Sequence, residues 1–261
     1  IANNIAVGKT GASREEIMEA AKKASIHDFI MTLLSVYEPE MRSRIEKFCA
    51  DSHVPADGTS YNHLIKTSAT HIIRAAVSLG FKRGRLRYAY QILRGKDLKS
   101  GETTAETRAE NFEKFGKALD RVLDLNNWKA FLNTLGEAGY ISSSQITSEN
   151  ALIFNYAFYL IGRYEFKMEP LAIKKLIKRW FYASNVAAFY VGSFESDFEK
   201  QLNEVSELKT AEEFVAYFDR SLAALMTDDY FSLTLPNDLN ANEATGPSWH
   251  GFVAAQVVFG Y

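Results

Sequence analysis

The sequence predicts an all-α protein, a multi-helix bundle, on three observations. Helix-start signals recur along the chain, apolar residues return at intervals of three and four, and glycine- or proline-bearing breaks separate the segments so defined. Alternation of period two, the mark of a half-buried strand, is almost missing.

Ser13 with Glu16 has capping-box spacing, in which a Ser oxygen accepts from an orphan backbone N-H and the Glu three residues on reaches back, so a helix is expected to begin there. Leu64, Ile65, Ile72, Ile73 and Ala76 fall on one stripe of a second helix. Thr103 with Glu106 repeats the capping device, and Phe112, Phe115, Leu119 and Val122 follow it at helical intervals. Ser148 is the expected N-cap of a segment whose one strongly polar residue between Ala151 and Ile161 is Asn155. A helix apolar on every side belongs at the centre of a bundle. Ile173, Leu176, Ile177, Trp180 and Phe181 form a buried stripe opposite Lys174, Lys175, Lys178 and Arg179, giving one helix with an apolar and a cationic face. Thr210 with Glu213 supplies a further start signal.

Breaks are expected at Pro55 to Thr59, Gly95 to Gly101, Gly139 to Ser144 and Thr227 to Pro247. The last is about twenty residues with little helical periodicity, long for a structureless connection, and it reads as a segment that packs or binds. Within it Tyr230, Phe231, Leu233 and Leu235 suggest a short extended piece. The whole is read either as two sub-bundles, 1–138 and 139–261, or as one continuous domain.

Composition narrows the function classes. Of 261 residues 47% are apolar and 24% charged, and the net charge is −2, which excludes low-complexity disorder and a polycationic tail. The apolar runs are far shorter than a bilayer span, so no membrane partner is expected. Cys49 is the one cysteine, which rules out an intramolecular disulfide and makes a reducing, cytoplasmic location the default. Ile1 to Thr10 lack an initiating Met and the layout of a signal peptide, so the chain reads as part of a longer protein.

Catalytic signals are weak. Gly8-Lys9-Thr10 invites a phosphate-loop reading, but position 3, where the first glycine belongs, is Asn, and a terminal arm is the simpler account. His27, His53, His63, His71 and His250 contain no pair at one-turn spacing, so neither a metal nor another cofactor is expected. His63 and His71 are read as structural or surface histidines on roughly one helix face. Asp228-Asp229 and Glu195 with Asp197 are paired carboxylates. The latter follow Ser193 at a helix start, where the dipole favours negative charge.

The most informative charged stretch runs from Phe81 to Lys99. It holds Lys82, Arg83, Arg85, Arg87, Arg94, Lys96 and Lys99 against Asp97. Guanidinium groups make forked bonds to phosphate oxygens, and Tyr88 and Tyr90 offer stacking faces. Lys82, Arg83, Arg85, Arg87, Arg94 and Lys96 are therefore candidate nucleic-acid contacts, DNA being the partner considered. A face that pairs with acids of a neighbouring helix is the competing account.

Taken in order, several segments resemble the helical middle region of GmrSD-like, modification-dependent restriction proteins. They are Leu93 to Leu98, Val122 to Trp128, Ile141 to Arg163, Arg179 to Tyr182, Gly192 to Asp197, and Leu225 to Leu239, within residues 60 to 261. In that family a ParB/sulfiredoxin-like nucleotide domain precedes the helical region and an HNH-type nuclease follows it. The resemblance implies a non-catalytic linker that couples those neighbouring domains in a phage-defence enzyme; contact with the DNA backbone is the reading of the basic stretch itself. It brings no catalytic residue to this chain. The alternative is a protein-protein or oligomerisation scaffold with no DNA contact.

Overall fold

The computed structural model describes residues 14–52, 61–241 and 246–260, with side chains described from Ile26 on and not at Ala241. Among the described residues there are twelve α-helices and no strand, as the sequence predicts. In chain order they are α1 (Arg14–Tyr37), α2 (Pro39–Asp51), α3 (Ala69–Phe81), α4 (Leu86–Arg94), α5 (Ala105–Val122), α6 (Leu125–Gly136), α7 (Glu149–Tyr164), α8 (Pro170–Val186), α9 (Phe194–Glu207), α10 (Ala211–Leu225), α11 (Leu235–Ala241) and α12 (Pro247–Phe259). Gly8-Lys9-Thr10, Ser13, His53, Pro55 to Thr59 and residues 242–245 lie outside the described residues.

Caps set the boundaries. Ser148 accepts from the Ala151 N-H at 3.3 Å and Thr210 from the Glu213 N-H at 3.2 Å, so both expected start signals operate. The start of α5 is shifted by one residue: Thr104, not Thr103, accepts from Thr107 N. Pro170 and Pro247 open α8 and α12, where a missing N-H costs nothing.

The centre is α7. From Ala151 to Gly162 every residue is buried. α7 packs against α3 on one side and α8 on the other. α3 in turn lies on α5, and α8 carries α10 and α12. Aromatic rings fill the joints: Trp128 meets Tyr156 edge-on at 4.9 Å, Phe154 stacks on Phe198 at 3.8 Å, and Phe158 meets Phe218 edge-on at 5.0 Å. The buried apolar side chains, Val186 and Tyr230 apart, form one connected cluster from Ile30 to Ala254.

Three expectations need correction. Leu64 and Ile65 are buried but not helical, because the Asn62 Oδ1 accepts from both of their backbone N-H groups and holds a turn. The helix then waits for its cap at Ser68. His63 consequently lies before α3 and shares no helix face with His71. The segment from Thr227 onward is helical over residues 228–241: Tyr230–Thr234 is a π-helical turn leading into α11. Tyr230 is buried while Phe231 and Leu233 are exposed, so the near-alternating apolar pattern reflects a widened helix and not an extended strand.

Candidate functional site

The basic stretch divides into two halves. Lys82 caps α3 in the left-handed region (φ 54°), and its Nζ donates to the Leu79 carbonyl at 2.8 Å and pairs with Glu165. Burial lowers the Lys82 pKa, and the neighbouring Glu165 carboxylate opposes that shift. Arg83 donates to Glu199 at 2.9 Å and Asn203 at 3.2 Å, and Arg85 to Ser196 at 3.0 Å. The second oxygen of Glu199 accepts from the Gly84 N-H at 2.6 Å and the Arg85 N-H at 3.2 Å. Arg74 of α3, 5% exposed, completes this knot: it donates to the Gly84 carbonyl at 2.6 Å and to Glu195 at 2.8 Å. The turn between α3 and α4 is thus pinned to α9 by carboxylates more than a hundred residues away in sequence.

The other half faces outward. Arg87 and Arg94 are exposed on α4, and Lys96 follows its end. Arg83 and Arg87 each hold a guanidinium 5.0 Å from the Tyr88 ring centre. Tyr90 meets Phe29 at 5.8 Å.

The titratable groups found by sequence do not converge. His71 closes a capping box, accepting from Ser68 N at 3.3 Å, and burial with the nearby Arg74 charge lowers its pKa to about 4. Its Nε2 is 3.9 Å from Glu149, too far for a hydrogen bond to hold the proton. His27 meets Thr70 at 2.8 Å, and His250, its pKa lowered by burial, meets Thr147 at 3.4 Å. Asp228 and Asp229 are exposed, and Glu195 is committed to Arg74. No group of three potential metal ligands occurs among the described residues.

A different feature stands out. The segment Pro247–Phe259 contains no charged residue. In most surface helices the large apolar side chains turn inward; here the order is inverted. α12 buries the small residues Ser248, Gly251 and Ala254 and exposes Phe252, Val253, Val257, Val258 and Phe259. Two glycines permit the approach. A Cβ on Gly251 would stand 2.4 Å from Val186, and one on Gly139 would stand 1.9 Å from the Ala254 carbonyl oxygen. Gly139 also has φ +90°. Tyr182 Oη donates to the Gly251 carbonyl at 3.2 Å and tethers the helix to α8.

Between α8, α10 and α12 this arrangement leaves an open groove of about 630 Å³. Ala138, Ala183 and Leu222 form its buried floor, and Phe231, Val258 and Phe259 its exposed mouth. Lys178 lines it, and two ion pairs stand beside it, Arg179 with Asp219 at 2.8 Å and Lys174 with Glu137. The signal was present in the sequence as an uncharged helix with Ser248, Gly251 and Ala254 three apart, but such a stripe alone does not tell which side is buried.

No family model matches the chain, and no solved structure matches it. Two curated proteins match short stretches. A Haemophilus influenzae protein named "Probable ABC transporter ATP-binding/permease protein" is 56% identical over 41 residues, which is 16% of this chain and 7% of that protein. The "Uncharacterized ABC transporter ATP-binding protein y4gM" of Sinorhizobium fredii is 55% identical over 38 residues, 15% of this chain and 6% of its own length.

These matches overturn the GmrSD resemblance, and with it the linker role in a phage-defence enzyme, since the similar stretches belong to proteins named for a different activity. The strings that suggested the resemblance have folding roles. Leu93-Arg94-Gly95 is a helix end with a left-handed glycine. Asn127 donates to the Arg121 carbonyl, Trp128 fills the core, and Gly192 to Asp197 turns into α9. No helix among the described residues is long and apolar enough to cross a membrane.

Proposed function

We propose that this chain is a helical protein-binding module whose working surface is the groove between α8, α10 and α12. The observation that carries this reading is the inverted helix α12. Phe259 is 76% and Phe252 41% exposed, while Gly251 and Ala254 of the same helix are used for internal packing. Contiguous exposed apolar surface of this kind marks sites of association. The binding role is favoured over turnover because both carboxylates that line the groove, Glu137 and Asp219, are already engaged by cations, Lys174 and Arg179. The ATP binding in the names of the short matches is not carried over to this chain, because its phosphate-loop-like string ending in Gly8-Lys9-Thr10 is incomplete at Asn3. A reducing, cytoplasmic setting accompanies it, Cys49 being a lone thiol.

The test places a photo-reactive side chain at Ala223 in the groove and, separately, at Lys117 on the exposed face of α5, followed by irradiation in cells. The reading expects protein adducts at position 223 that disappear when Val258→Asp is added. Equal adduct yields at 223 and 117, or adducts indifferent to Val258→Asp, refute it.

A further inference from the structure

The inference here rests on that reading of the groove and concerns what fills it. The walls are helices, so the groove offers no sheet edge with open backbone groups, and recognition there falls to side chains. A helix laid into an apolar groove is the mode that fits such walls. The charges beside the groove are unevenly distributed. On α8, Lys174 is matched by Glu137 and Arg179 by Asp219, while Lys178, which lines the groove, and the exposed Lys175 about one turn before it have no carboxylate partner among the described residues. The opposite wall, α12, carries no charge from Pro247 to Phe259. An occupant that matches both walls has one apolar flank and one acidic flank.

We infer that the groove binds an amphipathic helix of a partner protein, with its carboxylates set against Lys175 and Lys178 and its apolar flank against Val258 and Phe259. A second copy of this chain pairing through α12 does not meet the requirement, because α12 brings no carboxylate to Lys178.

The experiment uses the whole chain and a fluorescein-labelled peptide of about 16 residues, long enough to hold a helix. The peptide has Leu at positions i, i+3, i+4 and i+7 and Glu along one flank, and its twin has Lys in place of Glu. Fluorescence anisotropy is expected to show the Glu peptide binding about three- to tenfold more tightly than the Lys twin, the gain expected of two partly exposed ion pairs. The double variant Lys175→Glu, Lys178→Glu is expected to reverse the order, and added salt to narrow the difference. Equal binding of the two peptides, both lost on Val258→Asp, overturns the acidic occupant and leaves the groove as a docking site. Concentration-dependent dimers in sedimentation equilibrium that dissolve on Phe259→Ser and resist the Glu peptide overturn it in favour of a second copy. Failure of both peptides, with no self-association, overturns the groove reading itself.

Discussion

Replacing Glu199 by Ala is expected to cost about 3 kcal/mol of folding free energy, although the residue does not line the groove. Glu199 is 6% exposed, and one of its oxygens takes the Gly84 N-H at 2.6 Å and the Arg85 N-H at 3.2 Å, while the other takes Arg83 at 2.9 Å. Truncation leaves the buried Gly84 N-H without a partner, worth about 1–3 kcal/mol. The Arg83 guanidinium is 30% exposed and recovers part of its loss in water, so its share is about 0.5–1 kcal/mol. Glu199→Gln keeps the volume and an amide acceptor, and about half of the loss is expected. The assay is urea unfolding followed by circular dichroism and by tryptophan emission, accepted only where the two transitions coincide. Arg94→Ala, which removes an exposed guanidinium on α4, serves as the control and is expected to stay within about 0.5 kcal/mol. A Glu199→Ala loss below about 1 kcal/mol would show that the knot between α3, α4 and α9 contributes little.

Two more tests bear on particular residues. His71 has a folded-state pKa of about 4 against an ordinary 6.5, so the unfolded chain takes up the proton first. Its stabilising share is intact above pH 6.5 and falls as pH drops toward 4, by about 3 kcal/mol at most. His71→Gln is expected to flatten the stability profile in that window, and an unchanged slope rejects the assignment. Gly139→Ala forces a methyl group into the Ala254 carbonyl at a positive φ. Loss of groove binding together with early proteolysis of α12 is expected, and intact binding refutes the close approach.

Most helices were readable from local physics. Ser148 and Thr210 cap where a hydroxyl precedes an apolar stripe, and the uniformly apolar run after Ser148 becomes the buried centre because no polar face exists to meet water. Leu64 and Ile65 were misassigned since the period-3.6 pattern continues through them, and the decisive contact, from the Asn62 side chain, competes with helix formation without altering that pattern. The π-helical turn at Tyr230–Thr234 changes the number of residues per turn, so a count based on 3.6 fails there. The basic stretch shows a limit of another kind. Its charge was visible, but the carboxylates that engage Lys82 and Arg83 come from Glu165 and Glu199, and sequence adjacency holds no record of them. The groove has the same character: its walls come from α8, α10 and α12, and the outward turn of Phe252 and Phe259 depends on Gly139 meeting Ala254.

The three tryptophans are divided between two environments. Trp128 and Trp180 are wholly enclosed, whereas Trp249 belongs to α12, is half-buried, and stands 5.6 Å edge-on to Phe252. Intrinsic emission therefore has two separable components, a blue one that follows the interior and a quencher-accessible one that follows the carboxy-terminal helix. Acrylamide titration of the unlabelled chain reads the second component directly, so ligand occupancy at that end has a native optical signal that needs no attached dye.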